Sequence, residues 1–141
     1  MQENQLTQTS QQVLHAAQLL AQKQQHAAVT EEHILAGLLQ EDTQVLPYLM
    51  QQNNIVLPAV KAALEQHLKR QAKVEGSMPQ LSPVAMRCLQ NAFQFAQKRG
   101  DAYIATLHLL FSLLQSESTA AQILKDAGIE NQSTSRIPQS H

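Results

Sequence analysis

Apolar residues recur at helical spacing along most of the chain, and no stretch shows convincing strand alternation. Val13, Leu14, Ala17, Leu20 and Ala21 share one face of a first helix, which the Thr7 hydroxyl is placed to cap and Leu6 to staple. A second helix starts at Thr30. Glu31 and Glu32 suit the positive end of its dipole, and Ile34, Leu35, Leu38 and Leu39 form its apolar face. A short third helix covers about 43–52, with Val45, Leu46, Leu49 and Met50, and ends at Asn53-Asn54. Pro58 belongs in the first turn of a fourth helix, which runs through Val60, Ala63, Leu64 and Leu68 to Arg70. Residues 71–80, QAKVEGSMPQ, break the period. Ser82-Pro83 then opens a fifth helix that ends at Arg99-Gly100. A sixth covers about 106–115 and a seventh about 119–127, with Gly128 as its stop.

The order is a repetition. Residues 6–49, moved along by 75 positions, fall on 81–124 without a gap, and 13 of the 44 pairs are identical. Leu14 meets Leu89, Ala21-Gln22-Lys23 meets Ala96-Gln97-Lys98, and His33 meets His108. Two copies of this length point to a duplicated helical bundle rather than a solenoid. The expected fold is all-α, with two pseudo-symmetric four-helix repeats packed into one compact domain. The expected divisions are a flexible lead at 1–5, a first repeat at 6–70, a linker at 71–80, a second repeat at 81–129 and a polar tail at 130–141. The tail, ENQSTSRIPQSH, lacks an apolar period, so the counterpart of the fourth helix is expected to be missing.

Composition narrows the function classes. Ten Lys and Arg against eleven Asp and Glu give no electrostatic case for nucleic acid, which wants a basic face. No run approaches the ~18 apolar residues of a membrane span. One cysteine excludes an internal disulfide and suits a reducing compartment, so a cytoplasmic protein is expected; small net charge and apolar faces that the two halves can satisfy make a monomer the expectation. The 23 glutamines are scattered through helical segments, as a neutral solvent face would be.

No phosphate loop, nucleophile elbow, zinc-protease helix or C-x-x-C pair is present, so neither catalysis nor a cofactor is expected. His33 and His108, each one turn into a helix, are expected to close their helix starts rather than to bind metal. Cys88, among Ala85, Leu89 and Ala92, is expected to act as a small core residue. Phe93 and Phe95 lie about 200° apart on the fifth helix, so one is expected buried and the other partly exposed.

Several strings carry a family resemblance. The Leu6-Thr7 helix start, the TEEHILAGLL segment of the second helix, VEG in the linker and AQKRGD before the second His-Leu-Leu run resemble the Clp N-terminal repeat. That repeat occurs twice at the front of Clp-type AAA+ unfoldases, and this version is most similar to the ClpB-like disaggregases. The resemblance covers about residues 6–129. It implies a non-catalytic domain tethered to AAA+ modules, which docks unfolded or aggregated polypeptide for the ATPase ring. The alternative is the adaptor-binding N-domain of a protease-linked Clp unfoldase, or a free-standing Clp-repeat accessory protein. The family's substrate contacts carry over to Thr7, Phe95 and Asp101. Where the family often has an acidic residue just inside the sixth helix, this chain has Leu107, and Asn91 stands where a larger apolar residue is common. Both departures alter the expected groove.

Overall fold

Two helical hairpins dominate the structure, a computed structural model that describes residues 5–129. The first pairs α1 (Gln8–Lys23) with α2 (Glu31–Glu41), and the second pairs α5 (Pro83–Lys98) with α6 (Thr106–Gln115). Each is followed by a short helix, α3 (Val45–Gln52) or α7 (Thr119–Asp126), and the first half adds α4 (Leu57–Lys69). The fold is all-α, as expected. The anticipated loss of a final helix falls on 130–141, outside the described residues.

Local sequence accounts for the helix ends. The Thr7, Ser82 and Ser118 hydroxyls each accept from a backbone N–H three residues on, at 3.0–3.2 Å. The His33 and His108 Nδ1 atoms accept from the Thr30 and Ala105 N–H groups at 2.9 and 2.8 Å, so both imidazoles close their helix starts. The exits of α1 and α5 match bond for bond. Gln25 and Gly100 take left-handed φ values of 60° and 77°, and the next residue, His26 or Asp101, donates to Ala21 or Ala96 at 2.9 Å.

The core runs continuously from α1 to α7 and is filled mainly by leucine and alanine. Helices α1 and α2 approach closely because Gly37 lies against the Val13 carbonyl, where a Cβ would collide with backbone. The equivalent crossing of α5 and α6 places Ser112 there, and its hydroxyl donates to the Cys88 carbonyl at 2.6 Å. Cys88 is buried, and burial pushes its thiol pKa up, which leaves it an unreactive core residue.

A small parallel sheet was not anticipated. Strand β1 (Ala28–Val29) pairs with β2 (Gln80–Leu81), each too short to show alternation. Its counterpart is the bridge between Leu6 and Ile104. Leu6 belongs to the first half and Ile104 to the second, while Leu81 and Val29 exchange the other way. Each half's leading helix therefore starts on the other half's corner. Thr7 N–H donates to the Ile104 carbonyl at 3.0 Å, and Ser82 N–H to the Val29 carbonyl at 2.9 Å.

The two glutamates at the start of α2 also reach across. Glu31 accepts from the Ser82 hydroxyl at 3.1 Å, and Glu32 accepts from the Ala120 N–H at 3.0 Å, at the start of α7. Their charge serves other helix starts as well as their own, and both are buried.

Candidate functional site

The exchange of helix starts brings Thr7 beside the turn that joins α5 to α6. A cavity of about 300 Å³ opens there. Its apolar wall is made by Val45 of α3, Leu107 of α6, and Ala102, Tyr103 and Ala105 of the turn; its polar rim is Thr7, Arg99, Asp101 and His108. Tyr103 is 56% exposed, although it stands against this wall.

The rim is held by one chain of interactions. Because His108 Nδ1 accepts from the Ala105 N–H, the ring proton is on Nε2, which donates to Asp101 Oδ2 at 2.8 Å. Arg99 Nε stands 3.4 Å from the same oxygen. Asp101 keeps a third of its side chain exposed, so its charge faces an incoming group. Both His108 nitrogens are engaged, so the imidazole is not a free base beside the cavity.

Thr7 and Asp101 share this cavity. Phe95 does not line it. Its ring stacks on Phe111 with centroids 4.0 Å apart, meets His108 edge-on at 5.6 Å, and lies under the Arg99 guanidinium at 5.7 Å. Phe95 therefore borders the rim through Arg99 and His108. Phe93 packs against the core, but neither ring is fully buried. The expected division into one buried and one partly exposed ring is not seen, because both rings are half-buried. Val45, Arg99 and Tyr103 were missed. Val45 belongs to a helix of the other half, and the single usable signal for Tyr103 was an aromatic residue in the turn after RGD. Asn91 is exposed on α5 and is not among the residues lining the cavity.

Two larger depressions lie elsewhere. One of about 870 Å³ follows the outer face of α1, past Gln8, Gln11 and Gln12, and one of about 500 Å³ lies between α1, α2 and α4. Among the described residues no three His, Cys, Asp or Glu side chains could hold a metal ion, and no helix is long and apolar enough to cross a membrane.

Comparison with known proteins decides the family. The family described as the Clp repeat (R) N-terminal domain matches residues 5–133. The chain belongs to that family. This Clp N-domain is 31% identical over 126 residues to the chaperone protein ClpB of Bacteroides thetaiotaomicron, covering 89% of this chain and 15% of that protein. It thus spans a small part of the relative's length. Among solved structures, the Hsp104 N-terminal domain of Candida albicans gives a TM-score of 0.82 at 23% identity, covering 92% of this chain and 85% of that one. A complex of a ClpV N-domain with VipB peptide gives 0.75 at 21%, covering 92% and 81%. At these identities the structures show the shared fold.

Proposed function

We propose that this Clp N-domain is the non-catalytic recognition domain of a ClpB-like disaggregase, working in the cytoplasm ahead of AAA+ modules. It docks unfolded or aggregated polypeptide in the cavity rimmed by Thr7 and Asp101, with Phe95 on its border. The observation that carries this reading is the cavity itself. An apolar wall of Val45, Tyr103 and Leu107 stands open beside a charged rim, and each apolar side chain that fills it contributes ~1.5–3 kcal/mol before ordering costs. Such a wall favours exposed apolar segments and gives weak affinity. The curated relative, a ClpB chaperone, agrees with this class.

Adaptor docking is the second reading. The ClpV N-domain of similar fold was solved with a VipB peptide, and a cavity of this size takes two or three side chains, enough for one defined segment.

The test is binding of a reduced, alkylated, permanently unfolded protein, followed by fluorescence anisotropy. Trimming the wall with Leu107→Ala and Tyr103→Ala together is expected to weaken binding about tenfold or more, while the circular dichroism spectrum stays helical. Unchanged binding by the folded variant would remove the cavity from the function.

A further inference from the structure

The cavity has a counterpart in the first half, and there it is filled. Subtracting 75 carries Asp101 to His26, Ala105 to Thr30, Leu107 to Glu32 and His108 to His33, while Ser82 takes the part of Thr7. The chain's own residues 67–77 lie over that counterpart. His67 Nε2 stands 3.5 Å from Glu32 Oε1 at the end of α4. Lys73 then forms an antiparallel bridge with His26. The Val74 N–H donates to the Gln25 carbonyl at 2.7 Å, and the Ser77 hydroxyl donates to the His26 carbonyl at 3.2 Å. His26 is fully buried as a result, whereas Asp101 is partly open.

In the second half the receiving backbone is the same. Gln25 and Gly100 share a left-handed conformation, and the helix exits are bonded identically. Among the described residues, the carbonyls of Gly100 and Asp101 accept no hydrogen bond. The seat is therefore preformed, and the segment that fills its counterpart shows what fits.

We propose that the cavity takes a segment of another polypeptide in extended form, bound as an added strand that lies opposite Asp101 and donates a backbone N–H to the Gly100 carbonyl. This rests on the docking function proposed above and specifies its mode. The occupant's chemistry follows from the two substitutions in the seat. Leu107 in place of Glu32 calls for an apolar side chain where His67 stands. Asp101 in place of His26 calls for a cation six residues later, where Lys73 stands. The backbone bond to the Gly100 carbonyl is open to many sequences, while a hydroxyl for the Asp101 carbonyl, where Ser77 serves His26, and the two side-chain contacts set preference.

The probe is a fluorescein-labelled synthetic peptide with the sequence of residues 66–77 and the change His67→Leu, titrated into the full 141-residue chain by anisotropy and amide NMR. Binding is expected to shift the amides of Gly100–Ala105 and Leu107. Methylating the peptide nitrogen of the Val74 position removes its N–H, and affinity should fall roughly fivefold or more. Changing the probe's Lys73 to Glu should weaken it further, with much less effect in the Asp101→Asn protein. Equal binding of the N-methylated and parent peptides, shifts confined to other surfaces, or no binding at all would overturn the proposal. Binding seen only after removal of residues 130–141 would make the chain's own end the occupant, and would overturn it too. If the unfolded protein still binds and loses affinity in the wall variant while N-methylation has no effect, the docking function stands and the strand mode falls. If no unfolded chain binds, the docking function itself falls.

Discussion

His33 donates its Nε2 proton to His26 Nδ1 across 2.8 Å, at the two positions where the second half holds His108 and Asp101. The direction is fixed by Thr30, whose N–H occupies His33 Nδ1. Burial, with His26 and His67 nearby, lowers the His33 pKa from 6.5 to about 4; burial lowers that of His26 too, and Lys73 adds to the effect. The folded state thus holds fewer protons than the unfolded chain between these limits. Stability is fully present above about pH 6.5 and declines as the pH falls towards 4, by roughly 3 kcal/mol for His33. His33→Gln keeps an acceptor for the Thr30 N–H without a titrating ring. Urea denaturation at pH 7, 5.5 and 4.5 should show a shallower acid loss in the variant than in the parent. Parallel curves would remove His33 as the cause.

Gly37 is expected to tolerate no side chain. Alanine is the better helix former by ~1 kcal/mol, but its Cβ would meet the Val13 backbone, which no rotamer change can relieve. Overpacking of this kind costs typically 1–3 kcal/mol and sometimes more. A net loss of up to about 2 kcal/mol is expected for Gly37→Ala in denaturant titrations. The matched change Ser112→Ala should cost about 1 kcal/mol, through the lost bond to the Cys88 carbonyl. A stabilised Gly37→Ala protein would show that α1 and α2 separate freely.

The contrast between these two crossings marks what the sequence made legible. Helix starts and stops were local matters. Ser82-Pro83, Thr30 and Gly100 announce them within one turn, and the structure places the ends within two residues of expectation. The duplication showed that Gly37 and Ser112 are equivalent, but not that one lets backbones touch while the other hydrogen-bonds. The candidate site was half legible. Thr7 and Asp101 came through the resemblance. Their meeting depends on the exchange of Leu6 onto Ile104, a contact 98 residues apart in the chain that no local pattern encodes. Phe95 also came through the resemblance, and periodicity set it apart from Phe93, yet its neighbour Phe111 comes from another helix.

Glu32 ties the halves together through a hydrogen bond to the buried N–H of Ala120. Glu32→Ala would leave that donor without a partner at the start of α7, at a cost of about 1–3 kcal/mol. Glu32→Gln retains an acceptor oxygen and should recover most of the loss. Amide hydrogen exchange at Ala120 is the direct readout. Faster exchange in Glu32→Ala, with protection returning in Glu32→Gln, is expected. Unchanged protection in Glu32→Ala would show that the carboxylate does not hold α7.

Phe95 and Tyr103 separate stability from docking. Phe95 stacks on Phe111 and supports Arg99, so Phe95→Ala removes an aromatic pair worth ~0.5–1.5 kcal/mol beyond its buried area. It also frees the Arg99 guanidinium at the rim. Tyr103 is largely exposed and stands on the cavity wall, so Tyr103→Ala should leave the melting temperature within a degree or two. The expected result is a crossed pattern. Phe95→Ala lowers the melting temperature by several degrees and weakens binding of an unfolded protein only two- to threefold. Tyr103→Ala weakens binding about fivefold with the fold intact. If Phe95→Ala instead abolishes binding while the melting temperature holds, the aromatic pair is the docking surface, and the cavity beside it is secondary.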